Sequence, residues 1–421
     1  MMKKNTRLDP KLISAAIASL FALSLPAIAQ DKPAEFGKPT GVPWGPVTVY
    51  PEADLTFKSN DNIYSRPSNT KSANITVLAP KVKLEAKTGP HTFDATYRVE
   101  HGSYSGVSSA NYTDQGLTGN AMWVFSGRSG LKLTAEYLQG HDDQGSTPGT
   151  GAGHANPDKW HQTSLSGTAG YGAEGAQGRI EVEAGVINKR YDNFQTDNFG
   201  NPDNTKRDRD DAKLGATFYW RIMPKTQLLF QAVQTKYDYK QGSFIGVGGV
   251  ANWTTLDSTD RKYLVGVTWE AAAKTTGIFK IGSMKKDFSE SALRDYSGTS
   301  WEGTVKWSPL TYSNFDFFTG RGPGESTIGT SSIDRRYGVA WNHAWSSRLS
   351  SVASYNNTKA EYQDSTPTQT DTTDAVGLKL NYQWTRNVKI GVGYDRTDKT
   401  SNVATSEYKR NIYSIFLNAA I

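Results

Sequence analysis

Val376-Gly377-Leu378-Lys379-Leu380-Asn381-Tyr382-Gln383-Trp384, followed by Thr385-Arg386-Asn387, is the stretch on which the reading of this chain turns. Successive side chains of an extended strand point to opposite faces. Val376, Leu378, Leu380, Tyr382 and Trp384 therefore share one face, and Gly377, Lys379, Asn381 and Gln383 share the other. One face is apolar and ends on an indole; the other is polar or small.

The same period of two recurs along the chain. Tyr263, Val265, Val267 and Trp269 alternate with Leu264, Gly266, Thr268 and Glu270, and Trp301, Gly303, Val305 and Trp307 alternate with Glu302, Thr304 and Lys306. Ala212, Leu214, Ala216, Phe218 and Trp220 form another such row, as do Ile180, Val182, Ala184 and Val186.

The connections between these segments alternate in length. Short ones fall near Thr88-Gly89-Pro90, Ser126 to Gly130, Gly172 to Gly178, Met223-Pro224-Lys225, Ala272 to Thr275, Ser308-Pro309, Ser346-Ser347 and Thr385-Arg386-Asn387. Long polar ones include Ser59 to Asn74, His141 to Asp158, Tyr191 to Lys206, Lys240 to Thr259 and Tyr362 to Asp374. A soluble sandwich has no reason to keep every second connection short. A membrane barrel does, because one rim carries tight periplasmic turns and the other carries extracellular loops. The predicted fold is all-β: a transmembrane, antiparallel, up-and-down β-barrel of about 18 strands, with 16 as the alternative count. Trp123, Phe125, Trp220, Trp269, Trp307, Trp341, Trp345 and Trp384 all fall at the predicted periplasmic strand ends. Indoles favour that interface, so these residues are expected to form an aromatic girdle.

Both ends of the chain suit this reading. Lys3, Lys4, Arg7 and Lys11 precede an uncharged stretch that reaches Ala27-Ile28-Ala29, the pattern of a cleaved signal peptide over residues 1–29. Residues 30–46 read as a flexible periplasmic lead and residues 47–421 as the barrel. At the other end Tyr413, Ile415, Leu417, Ala419 and Ile421 share a face, with Ser414, Phe416 and Asn418 opposite. This resembles the terminal strand read by the outer-membrane assembly machinery, although Ile421 stands where an aromatic is usual. Closing it onto a first strand near Val47 to Lys58 would leave no unpaired edge in lipid.

Composition narrows the chemistry. After the leader no run approaches the roughly 18–20 apolar residues of a membrane helix. A mean hydropathy of −0.58 would by itself suit a soluble protein as well as a barrel with a polar lumen. There is no cysteine, which excludes disulfides, thiolate metal sites, cysteine nucleophiles and a lipidated N-terminal cysteine. The net charge of +6 includes +3 from the leader, leaving 6 − 3 = +3, too mild to point to nucleic acid.

Catalytic and metal signals are weak. His91, His101, His141, His154, His161 and His343 sit in no recognisable nucleophile or metal spacing. No cofactor, metal or catalytic residue is assigned. Asp142-Asp143 and Arg207-Asp208-Arg209-Asp210-Asp211 read best as solvated charge at loop ends, with divalent cation or lipopolysaccharide phosphate as the sharper alternative. Gly246-Val247-Gly248-Gly249 does not connect a strand to a helix, so it does not read as a phosphate loop.

The polar strand faces carry more information, since charge facing lipid is costly and charge facing a wet lumen is tolerated. Strand phase turns Asp94, Arg98, Glu100, Glu181, Glu183, Lys213, Arg221, Lys280, Glu302, Lys306, Asp316 and Lys379 inward. Both signs are present, and the phase alone does not say whether they segregate. A salt-bridged or water-filled lumen is one reading, and a patch selecting a charged solute is the other.

Asp61-Asn62-Ile63-Tyr64-Ser65-Arg66-Pro67-Ser68-Asn69, Leu78-Ala79-Pro80, His101-Gly102-Ser103-Tyr104, Asn111-Tyr112-Thr113-Asp114 and Tyr408-Lys409-Arg410-Asn411 together resemble the putative β-barrel porin 2 family. The resemblance spans nearly the whole mature chain. It implies an outer-membrane barrel associated with exopolysaccharide and capsule export, and hence passage of a polysaccharide as cargo. Implied partners are periplasmic polysaccharide-export components, besides the outer-membrane lipids and lipopolysaccharide around any such barrel. Tyr104, Tyr112, Tyr237, Tyr239 and Tyr394, near the outer strand ends, are candidates for stacking on sugar rings, with an ordinary girdle as the alternative. Competing readings are a diffusion or substrate-specific porin for small solutes, and an outer-membrane lipid-modifying enzyme using a histidine such as His101 or His343.

Overall fold

The computed structural model describes residues 39–143, 156–173, 175–192, 207–247, 250–271, 274–324, 326, 328–365 and 367–421. The expected leader, residues 1–29, and residues 30–38 of the lead lie outside these. In chain order the strands are β1 (Val42–Trp44), β2 (Val47–Asn60), β3 (Ala73–Thr88), β4 (His91–Tyr104), β5 (Tyr112–Ser126), β6 (Ser129–Asp142) and β7 (Asp158–Tyr171). There follow β8 (Gly178–Tyr191), β9 (Arg209–Met223), β10 (Thr226–Tyr239), β11 (Ser243–Val247), β12 (Val250–Thr254), β13 (Ser258–Ala271) and β14 (Thr275–Phe288). The remainder are β15 (Tyr296–Leu310), β16 (Ser313–Gly324), β17 (Ser331–Ala344), β18 (Leu349–Gln363), β19 (Thr370–Gln383), β20 (Val388–Ser401) and β21 (Tyr408–Ala420).

Every pairing is antiparallel and follows chain order. β11 and β12 form a separate hairpin in one long connection, and β10 pairs directly with β13. β21 closes on β2 from Glu52 opposite Ala420 to Asn60 opposite Ile412. Setting aside β1, eighteen strands close into one antiparallel barrel. Closure pairs the backbone groups of the wall with one another, which a wall in hydrocarbon requires because no water is there to satisfy them. β21 stops short of the first residues of β2. β1 folds back to pair there, Val42 opposite Val49 and Trp44 opposite Val47.

The turns fall where the sequence places them, with one exception. Ser308 and Pro309 lie inside β15, at a register shift between Trp307 and Leu310, and the reversal comes at 311–312, after Leu310 pairs with Ser313. Proline has no N–H to donate to a ladder, so it is accommodated at a bulge rather than at the turn itself.

The two faces of the sheet differ as their phase demands. Leu214, Phe218, Trp220, Phe230, Val265, Ile281, Phe317, Leu378, Val392 and Ile415 are exposed on one face, the outer one. Glu181, Glu183, Thr217, Gln231, Lys280 and Ser300 are buried on the other. That second face is concave. Lys280 on β14 reaches past β13 to donate to Gln231 Oε1 on β10 at 3.0 Å, and Lys262 on β13 lies 3.7 Å from Glu302 on β15, contacts across an intervening strand on the inside of the closed sheet.

Candidate functional site

The concave inner face is the candidate site, and register decides who stands on it. Residues directly opposite in an antiparallel pair share a face. Lys280 opposite Glu302, Lys306 opposite Asp316, and Glu183 opposite Gly215 next to Lys213 and Thr217 all place charged side chains inward. By the same register Asp94, Arg98, Glu100, Glu181, Arg221 and Lys379 stand on this face.

The structure brings most of these charges into opposite-sign contact. Over β8–β15, Arg179 pairs with Glu181 at 2.7 Å, Lys213 with Glu183 at 2.9 Å, Lys280 with Glu302 at 2.7 Å and Lys286 with Asp260 at 3.0 Å. Tyr219 donates its hydroxyl proton to Glu181 at 3.1 Å while its ring faces Arg179. Side chains of Lys213 and Glu183 are each only 8% exposed, so this pair lies within packed protein rather than open water. Elsewhere Lys81 pairs with Glu52 at 2.7 Å, Arg98 with Glu100, Lys306 with Asp316 at 3.6 Å and Lys399 with Asp371 at 2.8 Å. Asp94 accepts from Asn120 at 2.9 Å. The inner charges do not segregate by sign; they interleave.

The wall over β16–β20 is built differently. Its inward positions include Asn314, Phe318, Gly320, Gly322, Gly338, Asn342, Ser354, Asn356, Gly377, Asn381, Gly391 and Gly393, interspersed with Asp316, Asp334, Arg336, Asp371, Lys379, Lys389, Asp395 and Lys399. Asn342 donates to Asn314 Oδ1 at 3.1 Å and to Asp316 Oδ2 at 2.9 Å. Gly338 is needed for packing: a Cβ there would lie 2.4 Å from the Phe318 ring and 2.5 Å from Asn356 Oδ1.

At the loop end the inner face carries an aromatic tier. Tyr104, Tyr112, Trp160, Tyr191, Tyr237 and Tyr239 stand there, with cations against their rings: Lys189 over Trp160 at 4.9 Å, Arg207 over Tyr191 at 3.9 Å and Lys286 over Tyr237 at 4.6 Å. Tyr394 departs from the sequence expectation. It lies on the outer face beside Tyr413, ring centroids 5.1 Å apart, because Gly393 takes the inward phase opposite Lys379. It belongs to the outer aromatic tier and not to the mouth.

The loop-end charges also depart from a solvated reading. Arg207 is buried and reaches Asp142 at 3.0 Å and Asp158 at 3.7 Å, and Arg209 donates to Asp211 at 3.0 Å. Asp208 and Asp210 are less buried: Asp208 accepts from the Tyr191 N–H at 2.7 Å, and Asp210 pairs with Arg190 and Lys240, each at 2.7 Å. Nothing in a run of alternating basic and acidic residues tells which members the ring closes over. Asp143, just beyond β6, is held below the usual carboxylate range by its hydrogen bond from His141, with burial opposing. Lys240, just beyond β10, is raised above the usual lysine value by its hydrogen bonds to Asp210 and Asp238.

The remaining histidines sit apart. His91 accepts from the Val124 N–H at 3.2 Å, His101 meets Thr113 on the outer face, His141 stacks on Tyr112 and meets Asp114 at 2.9 Å, and His161 approaches Asp192 at 3.9 Å. His343 packs among Tyr312, Trp341 and Trp345 on the outer face. His154 lies outside the described residues, as do Gly248 and Gly249. Among the described residues no group of three or more His, Asp or Glu could hold a metal ion.

The motif residues separated by the length of the chain meet at the barrel seam. Asn62 Nδ2 donates to Lys409 O at 2.9 Å, and Asp61 accepts from the Asn411 backbone N–H and side chain, both at 2.7 Å. Tyr104 N donates to Asn111 Oδ1 at 2.7 Å, and Gly102 leaves room for the Tyr112 ring, which a Cβ would meet at 2.1 Å.

The outer face is zoned. Near the turn end Phe93 packs on Trp123, Phe218 on Trp220, and Trp307 on Phe315 on Trp341 on Trp345; Phe125, Trp220, Trp307, Trp345 and Trp384 are exposed. Trp269 stands in the same row, opposite Thr226 and packed against Gly277.

Comparison with known proteins gives a family and a set of barrels. The family model described as putative beta-barrel porin 2 matches residues 35–420. No curated protein matches in sequence. The siderophore receptor PirA from Acinetobacter baumannii is similar in structure at a TM-score of 0.48 and 6% identity, over 91% of this chain and 81% of that one. OpdK from Pseudomonas aeruginosa, solved with vanillate, is similar at 0.48 and 10% identity, over 89% and 99%. OpdL from the same organism is similar at 0.47 and 11% identity, over 89% and 98%.

Proposed function

The chain belongs to the putative beta-barrel porin 2 family, and from that premise we propose that it forms a water-filled pore of the bacterial outer membrane for hydrophilic solutes, without preference for charge sign. Barrels of 16–18 strands leave room for an aqueous channel. One observation carries the reading of selectivity: the inner charges interleave and neutralise one another in pairs such as Lys213–Glu183 and Lys280–Glu302. A solute of either sign meets little net field from such a wall. The pore makes and breaks no covalent bond.

The amide, hydroxyl and glycine wall of β16–β20 favours a polyhydroxylated cargo within that class. Asn314, Ser354 and Asn356 offer donors and acceptors that sugar hydroxyls could exchange with, many weak contacts replacing one tight site. Export of an exopolysaccharide or capsular polysaccharide is the form of this reading that the family resemblance implies. The tyrosines of the mouth support it less, since cations already occupy ring faces at Tyr191 and Tyr237.

In planar bilayers under a potassium chloride gradient, the purified barrel should conduct with a reversal potential near zero. Strong cation or anion selectivity, or no conductance, would overturn the reading. Gene deletion separates the direction of transport: lost surface polysaccharide supports export, whereas lost oligosaccharide uptake with intact surface polysaccharide removes export and leaves the pore.

A further inference from the structure

Strand register places the same row of four inward residues at two points of the lumen. Thr304 on β15 stands opposite Phe318 on β16, Phe318 opposite Gly338 on β17, and Gly338 opposite Asn356 on β18. Thr56 on β2 stands opposite Phe416 on β21, Phe416 opposite Gly391 on β20, and Gly391 opposite Asn381 on β19. The two rows run toward each other around the wall and end on neighbouring strands. Phe318 is five residues in from Ser313 and Phe416 four in from Ala420, both counted from the turn end of the strand, so the two rings stand at nearly the same depth.

In each row the ring lies over the glycine. A Cβ on Gly338 would collide with the Phe318 ring, and one on Gly391 with the Phe416 ring. Both phenylalanines stay partly exposed to the lumen. Among the described residues the other phenylalanine turned inward is Phe288, at the loop end beside Lys286. Filling the gap over a cross-strand glycine accounts for where the rings lie. It does not account for the polar groups left around them.

Thr304 is exposed on one side of Phe318. From the other side the Asn356 side chain reaches over Gly338, and its amide has no hydrogen-bond partner among the described residues. Phe416 has Thr56 on one side and Ser414 two residues along its own strand, while Asn381 is buried there. Between the rows the wall carries Ala340, Ser354, Gly377 and Gly393, with Lys379 and Asp395 as charges of opposite sign on adjacent strands. An apolar ring bordered by a few hydroxyl and amide groups suits a ligand that itself has an apolar side and a polar edge.

We propose that Phe318 and Phe416 are two stacking subsites for the pyranose units of a neutral saccharide. The C–H groups on one side of a pyranose can rest on the negative face of the aromatic ring, while hydroxyls at its edge meet Thr304 and Asn356, or Thr56 and Ser414. This assignment rests on the reading of the barrel as a pore for polyhydroxylated solutes, and names the residues that hold the cargo within it. Two contacts at one depth retard a passing chain without trapping it.

The test adds maltohexaose or cellohexaose to the purified full-length barrel in planar bilayers, with polyethylene glycol of similar mass as the size control. At least one hexasaccharide should block the wild-type current in events longer than those of polyethylene glycol. Phe318→Ala and Phe416→Ala should each shorten these events about fivefold, the loss of one stacking contact, whereas Phe318→Trp and Phe416→Trp should preserve them. Calorimetric titration of the same sugars into the barrel in detergent reads the subsites whether or not current flows. Binding without conductance would remove the pore and leave the subsites. Conductance that both sugars and polyethylene glycol block alike, with no heat of sugar binding, would remove the subsites and leave the pore. Unchanged binding and event length in the variant carrying both Phe318→Ala and Phe416→Ala would also overturn the proposal. Heat-modifiable mobility identifies folded variants, and the comparison of sugar with polyethylene glycol on the wild type needs no variant.

Discussion

Two parts of the inner wall solve the same problem in opposite ways. Over β8–β15 long charged side chains lean on one another until Glu181, Glu183 and Lys280 are buried, although they line the inside of a barrel. Over β16–β20 amides, hydroxyls and glycines outnumber the inward charges, of which Arg336 pairs with Asp334 and Lys399 with Asp371. The first wall is a cross-linked lining, in which each charge depends on its partner. The second is a surface whose hydrogen-bonding groups can be shared with a passing solute. The difference teaches that charge on a pore's inner face need not mean charge selectivity: where opposite signs pair across strands, the charge is spent on the wall.

The sharpest way to break this comparison is to strand one member of a buried pair. Glu183→Leu leaves the Lys213 ammonium without its carboxylate in a packed site, and should destabilise the barrel by about 3–5 kcal/mol. The midpoint of urea unfolding, followed by heat-modifiable mobility, reads it. The double variant Glu183→Met with Lys213→Met removes both charges and should recover most of that loss, a coupling of about 2 kcal/mol or more between the sites. Additive losses would mean that the pair is not the unit of the first wall. The smallest effect is expected on the second wall. Asn342→Ala removes bonds to Asn314 and Asp316 but also removes an Oδ1 that is buried without a protein partner, so the cost should be about 1 kcal/mol. A cost equal to that of Glu183→Leu, under the same unfolding measurement, would erase the distinction between the walls.

The barrel was legible because its signal is local. Val376 to Trp384 shows both faces of one strand within nine residues, and the same alternation, repeated between short and long connections, leaves an oriented closed sheet as the natural reading. Inward placement of Glu183, Lys213 and Lys280 followed from phase alone, since a one-residue slip would have put each in lipid. Tyr394 misled because proximity to a strand end does not give phase; its neighbours Gly393 and Val392 did carry that signal, one small and one apolar. Ser308-Pro309 misled because proline marks a bulge as readily as a turn.

Sequence by itself determined the strands, their faces and the alternation of rims, because each depends on residues a few positions apart. Tertiary structure decided what strand phase cannot reach. It brought Asp61 and Asn62 onto Lys409 and Asn411, nearly the whole chain apart, to lock the seam. It joined Arg207 to Asp142 and Asp158 in a buried network, where the sequence showed only a run of charges. It also paired the inner charges instead of segregating them. These are contacts between side chains on different strands, and their partners are set by register and closure. Alternation says which way a side chain points; only the closed barrel says what it meets there.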